Sequence, residues 1–361
     1  MASSIRKAQS PLSCQLCDHP NVIKWKCKDC AILMCDNCKE RVHPRFKLSE
    51  THTIIFITDI GKKESDISAQ ISRTVISSLL STYASDFAAF NKIQYSGNDT
   101  IYCSYNTNEN GYKFFIIRLL KESIKVLQEL DIECSDFALG SKDEIYYGQF
   151  RASELKVLSI GGITNTVFST SPMIILGLHI NNDNEIILGL REQGPPFPVT
   201  EFCTRQIVVF DENNKRKLTI EYDQKSKKLF SYIDRISTDS YYNIYAIDLF
   251  ENLEGRLVAL ERSGGIKFIY NGHKSINTPQ TPFNPNGIVI TKTNTIIVSD
   301  KNNHSLHALN TEGELIGLQT VTDLGIKRPL SLCMDSEGFL LIGCNSSSIE
   351  AGDAKIHVVK I

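Results

Sequence analysis

Eight residues near the amino end have the type and spacing to hold metal: Cys14, Cys17, Cys27, Cys30, Cys35, Cys38, His43 and His52. The cysteines form three C-x2-C pairs, separated by nine and then by four residues; His43 follows after four more and His52 after another eight. Two thiolates spaced this way can reach one tetrahedral ion, and thiolate with imidazole is a zinc donor set. Eight ligands make two four-ligand sites, so each C-x2-C pair must find its second pair elsewhere in the chain. Four protein ligands per ion leave no position for water or substrate, which is the shell of a structural metal. With so small a core, metal binding would supply much of the folding free energy.

The rest of the composition sets the surroundings. The chain has 361 residues, 42% hydrophobic and 22% charged, an ordinary globular balance with room for two or three domains. No run of about 18 apolar residues occurs, so no membrane partner is expected. The stretch from Met1 to Pro11 lacks the apolar core of a signal peptide, which points to a cytosolic or nuclear address, cytoplasmic being the expectation. In a reducing compartment the dense cysteines indicate metal, and the scattered Cys103, Cys134, Cys203, Cys333 and Cys344 should be small buried hydrophobes. Residues 1–58 hold nine Lys/Arg and five Asp/Glu, so +4; the remainder holds 39 − 9 = 30 basic and 41 − 5 = 36 acidic residues, so −6. Two ions on six thiolates bring the +4 to about +2. His19 breaks the ligand spacing and reads as a surface residue, and Trp25, the single tryptophan, as a core anchor.

The ligand spacing over Cys14–Thr53 resembles a B-box, the small zinc module of the tripartite-motif (TRIM) proteins. The ending His43-Pro-Arg-Phe-Lys-Leu-Ser-Glu-Thr-His52 is similar to the first B-box type. That family interleaves its ligands. The resemblance implies that Cys14, Cys17, Cys35 and Cys38 hold one zinc and that Cys27, Cys30, His43 and His52 hold the other.

From Tyr83 onward, short apolar runs alternate with polar turns, the pattern of strands. A polar turn followed by an apolar run recurs with anchors at Ile101, Ile145, Ile186, Ile244, Ile296 and Leu340, spaced by 44, 41, 58, 52 and 44 residues. Each anchor leads into a second β-run, for example Leu155–Ile160, and five of the six into a third. The sixth lacks its last run, and a ring must close, so a strand from the amino side should complete it. Residues 74–81 are the candidate, although Ile67, Ile71, Val75, Leu79, Tyr83 and Phe87 also recur every four residues, as in a helix. The expected fold is mainly β: a six-bladed propeller over 74–361, a linker over 59–73 and a two-zinc finger over 10–58. The stretch Pro285-Asn-Gly-Ile-Val-Ile, Ile296-Ile-Val-Ser-Asp300 and Asn303-His304-Ser-Leu306 resembles an NHL repeat. Together the two parts resemble B-box–NHL proteins related to the TRIM group, without a RING finger, so ligase activity does not carry over.

Other constellations carry less chemistry. Asn286 and Asp300 could stand near a propeller channel, where six-bladed lactonases bind a metal, but turn and blade-edge roles fit them better. Lys215, Arg216, Lys217, Lys225, Lys227 and Lys228 form a basic run that could contact RNA, or could be a solvated hairpin. Arg191–Gln206, with Gly194-Pro-Pro-Phe-Pro198, is an insertion suited to contacting a partner or to tolerated loop growth. No P-loop, nucleophile elbow or metalloprotease motif occurs, and Cys103 and Cys344 have no evident base. The expectation is that the chain is not an enzyme but a protein-binding scaffold. RNA-binding regulation through the propeller, and a non-catalytic part in ubiquitin ligation, are the alternatives.

Overall fold

The computed structural model describes residues 14–17, 23–27, 29–46, 52, 54–57, 74–97, 99–107, 111–121, 123–159, 161–252, 254–346 and 352–361. His19, the linker 59–73, Ile67, Ile71, Asn98 and Ile160 lie outside these. The chain divides into two compact units, Met1–Gln70 and Ile71–Ile361. No helix among the described residues is long and apolar enough to cross a membrane.

Among its described residues the small unit has three short strands, β1 (Trp25–Cys27), β2 (Leu33–Met34) and β3 (Ile54–Phe56), in the antiparallel order β2-β1-β3. A helix, α1 (Asp36–Arg41), and a 3-10 turn, His43–Arg45, lie between β2 and β3.

The large unit is a six-bladed propeller. Blade 1 comprises β5 (Lys92–Gly97), β6 (Thr100–Thr107), β7 (Gly111–Leu120) and β8 (Ser123–Leu130). Blade 2 comprises β9 (Cys134–Leu139), β10 (Ile145–Gln149), β11 (Glu154–Leu158) and β12 (Thr164–Ser169). Blade 3 comprises β13 (Ile174–Ile180), β14 (Ile186–Arg191), β15 (Arg205–Phe210) and β16 (Arg216–Ile220). Blade 4 comprises β17 (Ile233–Thr238), β18 (Ile244–Leu249), β19 (Gly255–Leu260) and β20 (Ile266–Tyr270). Blade 5 comprises β21 (Pro285–Ile290), β22 (Ile296–Asp300), β23 (Ser305–Leu309) and β24 (Leu315–Thr320). Blade 6 takes β25 (Pro329–Met334), β26 (Leu340–Cys344) and β27 (Lys355–Lys360) from the carboxyl end, and β4 (Ser78–Ala84) from before blade 1. The innermost strands β5, β9, β13, β17, β21 and β25 neighbour one another in a closed circle.

The turn before each anchor explains why the repeat is visible at all. Two residues before the six anchors stand Asp99, Asp143, Asn184, Tyr242, Asn294 and Gly338, and all six have left-handed φ, between 55° and 93°. Asn, Asp and Gly tolerate that conformation best. Five residues before the anchor, in blades 3, 4 and 6, a side-chain oxygen holds the turn. Asn181 Oδ1 accepts from the Asp183 and Glu185 amides, Asp239 Oδ1 from Tyr241 and Asn243, and Asp335 Oδ1 from Glu337, Gly338 and Phe339. Thr291 Oγ1 does the same more sparingly for Thr295 N in blade 5. Such side chains mimic a backbone turn.

Packing lies between blades. Among the described residues the propeller has six core clusters, each drawn from a pair of adjacent blades. Because both faces of a blade are covered, second strands such as Ile296-Ile-Val-Ser-Asp300 are buried along their whole length instead of alternating. Close approach needs small residues. A Cβ on Gly189 would meet Ile233 Cγ2 of the next blade at 2.6 Å, and one on Gly343 would meet Phe90 Cβ at 2.8 Å.

The closing strand runs over Ser78–Ala84, later than the 74–81 read from the sequence, and 78–84 is not helical. The four-residue recurrence is not helical because its apolar members do different work. Val75 and Ile76 are buried between blades 5 and 6, where Ile76 N donates to Gln319 Oε1 at 2.7 Å, and Phe87 stacks on Phe115 in blade 1. Between these anchor points β4 pairs antiparallel with β27, setting Thr82 opposite His357, whose Nδ1 lies 2.9 Å from Thr82 Oγ1.

His357 is 2% exposed, and burial, with Lys355 adding, pushes its pKa down to about 4 from an ordinary 6.5. The native state therefore refuses a proton that the unfolded chain accepts below pH 6.5. The stabilisation is complete above that pH and is lost as pH falls toward 4, by at most about 3 kcal/mol. Urea unfolding followed by tyrosine near-UV circular dichroism should show a midpoint that falls between pH 7 and 5, with a shallower fall in His357→Gln; an equal fall in the variant would refute the assignment.

Candidate functional site

The finger's ligands come together in two groups. The donor atoms of Cys14, Cys17, Cys35 and Cys38 lie within 4.8 Å of one another, as do those of Cys27, Cys30, His43 and His52. Local structure sets each ligand. Cys27 ends β1, Cys30 follows in the turn, and the Cys30 amide lies 3.4 Å from Cys27 Sγ. Cys35 is the residue before α1 and Cys38 lies one turn into it, while His43 opens the 3-10 turn. Cys35 N donates toward Cys14 Sγ at 3.4 Å, tying the first pair to the helix.

These distances suit a tetrahedral ion. Zinc 2.3 Å from each sulfur sets sulfurs about 3.8 Å apart, and a sulfur and an imidazole nitrogen about 3.6 Å apart. The Cys17 and Cys35 sulfurs are 3.9 Å apart; Cys27 Sγ is 3.7 Å from His52 Nδ1, and Cys30 Sγ is 3.8 Å from His43 Nε2 and 3.2 Å from His52 Nδ1. Cys14, Cys27, Cys35, Cys38 and His43 are buried. Burial, together with the neighbouring sulfurs of Cys17, Cys14 and Cys35, pushes the Cys38 thiol up, and burial with Cys27 raises Cys30. For Cys14 burial also opposes ionisation, but the backbone groups of Leu16 and Cys35 and the sulfurs of Cys17 and Cys38 bring it down to about 7. Packed thiols that resist ionising are what a dication at the centre would reverse. The two clusters can each hold a metal ion.

Trp25 is half-buried. Its ring lies 3.9 Å from that of Phe56, Lys39 Nζ stands 3.4 Å over it, and its Nε1 donates to Asp36 Oδ1 at 2.7 Å. Asp36 also pairs with Lys24 at 2.7 Å, and these two bonds hold its carboxyl below the usual range.

The propeller has two ends. One carries the hairpins between first and second and between third and fourth strands; the other, the link face, carries the second-to-third strand loops and the connections between blades. Asn286 and Asp300 lie toward the link face of blade 5, and their polar groups are spent internally. Asp300 accepts from Asn277 and Asn303 side chains at 2.7 and 2.8 Å, and from the Asn284, Asn302 and Asn303 amides. Asn286 donates to Asn284 Oδ1 at 2.7 Å. Ser305, His307 and Asp300 also meet, with His307 Nε2 3.3 Å from Ser305 Oγ and 3.6 Å from Asp300 Oδ2, but all three are fully buried. The stretch 303–306 works as a lock: Asn303 holds Asp300, His304 Nδ1 accepts Arg328 N of the next link at 2.9 Å, and Leu306 enters the core.

The basic run does not form one surface. Lys215, Arg216 and Lys217 lie at the hairpin end of β16, and Lys225, Lys227 and Lys228 beyond its other end. Lys217 pairs with Glu185, while Lys228 reaches Glu221 at 3.6 Å. The insertion after β14 is organised by two buried arginines. Arg205 bonds Glu192, Pro196 O and Ser231 O, and Arg191 bonds the carbonyls of Glu192 and Gly194. Of the scattered cysteines, Cys103, Cys134 and Cys344 are buried. Cys203 and Cys333 depart from the expected pattern in being half-buried; Cys203 stands on the insertion, where hydrogen bonds from Thr200, with Arg205 adding, lower its thiol.

A charge cluster that the sequence reading missed lies where inner strands converge. Lys92 Nζ is 2.7 Å from Asp136 Oδ1 and donates to Leu178 O at 3.2 Å, while Leu178 N donates to Asp136 Oδ2 at 2.8 Å. Arg235 is 3.2 Å from Asp234 and donates to Asn91 O at 3.0 Å. Four blades are thus pinned by two cations and two carboxylates. Burial holds Lys92 below its ordinary range against the pull of Asp136. The signal was available: Lys92, Asp136 and Arg235 each stand nine residues before an anchor, Ile101, Ile145 and Ile244. No third His, Cys, Asp or Glu completes a metal set in the propeller among the described residues.

Residues 284–309 match the NHL repeat. No curated protein matches the sequence. Among solved structures, a gluconolactonase from Xanthomonas campestris is similar at 10% identity and a TM-score of 0.54, covering 76% of this chain and 88% of that one. A luciferin-regenerating enzyme is similar at 12% identity and 0.54, covering 77% and 92%. A protein of unknown function from Bacteroides thetaiotaomicron is similar at 14% identity and 0.53, covering 78% and 75%. These likenesses show the fold. They also correct the expectation that the chain is not an enzyme: the same propeller carries catalysis in two of these proteins, so missing sequence motifs do not exclude it.

Lys92→Met should strand Asp136 as a buried unpaired carboxylate and destabilise the propeller by about 3–5 kcal/mol, read by urea unfolding. Lys92→Met with Asp136→Asn should recover much of that loss; a double variant no more stable than the single would refute the coupling.

Proposed function

We propose that the chain is a two-zinc, B-box-type finger over 10–58 joined to an NHL-like propeller over 74–361, working as a protein-interaction scaffold in the cytoplasm. The observation that carries the metal half is the pair of four-ligand clusters at tetrahedral spacing. Zinc is the ion favoured by four thiolates in one cluster and two thiolates with two imidazoles in the other. Cys14, Cys17, Cys35 and Cys38 would hold the first ion, and Cys27, Cys30, His43 and His52 the second. Once bound, the ions cross-link strands, helix and turn that share a core of a few side chains.

The scaffold half is supported by the propeller and its NHL repeat, and by the blade 3 insertion, a long link-face loop tied down by the buried Arg191 and Arg205. Loops on a rigid frame are where recognition concentrates. The link face also presents Phe202, 86% exposed beside Cys203 on the insertion. Large exposed aromatic side chains suit protein contacts.

Elemental analysis of protein purified without chelator should give two zinc per chain, and Cys38→Ser close to one; Trp25 emission should change on chelation while tyrosine dichroism of the propeller holds. One ion or none in the unaltered chain would overturn the ligand scheme. Affinity capture from native tissue should recover a recurrent protein whose yield falls when Phe202 is changed to Ser. Recovery of nucleic acid with no recurrent protein would overturn the scaffold reading.

A further inference from the structure

A cleft of about 290 Å³ opens on the link face between blades 5 and 6. Its lining includes His304, Lys327, Arg328, Asp353, Lys355 and His357. Its cations stand outside the ion pairs found elsewhere in the propeller. Lys92, Arg205, Lys217, Lys228, Arg235, Arg256 and Arg262 all meet carboxylates. In the cleft, Lys327, Arg328 and Lys355 are in no ion pair among the described residues, and the Arg328 guanidinium donates only to the Ser346 carbonyl, at 3.3 Å.

The backbone supports the arrangement. Arg328 has φ 49° and sits in the link before β25, outside any hairpin, where a left-handed arginine costs energy that surrounding contacts must offset. The contact that holds it is the bond from its own N–H to His304 Nδ1, and His304 is itself left-handed at φ 48°. This bond fixes the start of the Arg328 side chain at the cleft.

The charge can be counted. Three permanent cations and one carboxylate, Asp353, leave +2 among the described lining residues. Burial lowers both histidines, with Arg328 and Lys327 acting further on His304 and Lys355 on His357, so both are neutral near pH 7. The same Arg328 also depresses Lys301 nearby, after burial. A net +2 among the described lining residues of a cleft of this size matches the charge of a phosphate monoester, about −2 at neutral pH. A phosphodiester or a single carboxylate carries half of that. Guanidinium and ammonium donors favour phosphate oxygens, arginine through its planar fork and lysine as a point charge.

We propose that this cleft is a binding site for a phosphate monoester, held by Lys327, Arg328 and Lys355. The proposal concerns the propeller alone and does not rest on the zinc reading. The ester could be carried by a phosphorylated polypeptide or by a small phosphorylated metabolite.

Calorimetric titration of the full chain at low ionic strength, with inorganic phosphate, O-phosphoserine, a phosphoserine peptide and glucose 6-phosphate, tests it. Saturable binding is expected, and Arg328→Gly should weaken it about tenfold or more, in line with the loss of a charge-assisted bond. Glycine suits the left-handed backbone there, so the variant removes the cation without adding strain. Lys327→Met, at an exposed position, is the second variant and should weaken binding in the same direction; Lys225→Met, on the link between blades 3 and 4, should leave it unchanged. Tighter binding of the peptide or of the sugar phosphate identifies the source, and either supports the site. Absence of saturable binding, binding indifferent to both cleft variants, or single-stranded RNA binding there while the monoesters do not, overturns it.

Discussion

A blade with two apolar faces cannot stand alone, and that constraint organises the large unit. Each of the six core clusters is shared by neighbouring blades, so every blade depends on both of its neighbours. Such an array is stable only when no blade is left with a bare face, hence the closed circle of inner strands and the borrowing of β4 to finish blade 6. Glycines at Gly189 and Gly343 are part of the same constraint, since they let the next blade come close enough to exclude water.

The small unit answers the opposite problem. Among its described residues the core is small, and much of what it buries is the ligand sulfur itself: Cys14, Cys27, Cys35 and Cys38 with Met34. The two units therefore differ in what their interiors hold, apolar strands around a circle in one and clustered metal-donor side chains in the other. Polar chemistry is apportioned accordingly. In the propeller it is either neutralised inside, as at Lys92–Asp136 and Asp300, or left over at the link face, as at Lys327, Arg328 and Lys355.

Much of the fold was legible because turn chemistry is local. A left-handed residue two before each anchor forces Asn, Asp or Gly there in five of six cases, and that bias made the blades countable. The six cysteines and two histidines were legible for the same reason: ligand spacing is set by a few bonds. Other features hid because they arise between segments far apart in sequence. The basic run looked continuous, yet a strand separates its halves. Lys92, Asp136 and Arg235 looked like isolated charges until the circle of inner strands brought them to one region. Residues 74–87 read ambiguously because a strand flanked by buried anchors has the same four-residue rhythm as a helix.

The pairing of β4 with β27 joins positions 78–84 to 355–360, nearly the full length of the large unit. During synthesis β4 leaves the ribosome first among the propeller's strands, and its partner leaves last. Blades 1 to 5 can form in turn as the chain emerges, but β4 must wait, with its backbone N–H and C=O groups unpaired, until β27 is free. The ring is thus closed in a single late event of long sequence separation, the kind of step that loop-closure entropy makes slow. A nascent or truncated chain without β27 has two open ends at once: the bare face of blade 6 and an orphan strand. The join that completes the propeller is accordingly also the point at which an unfinished chain is most exposed to aggregation and to the machinery that recognises it.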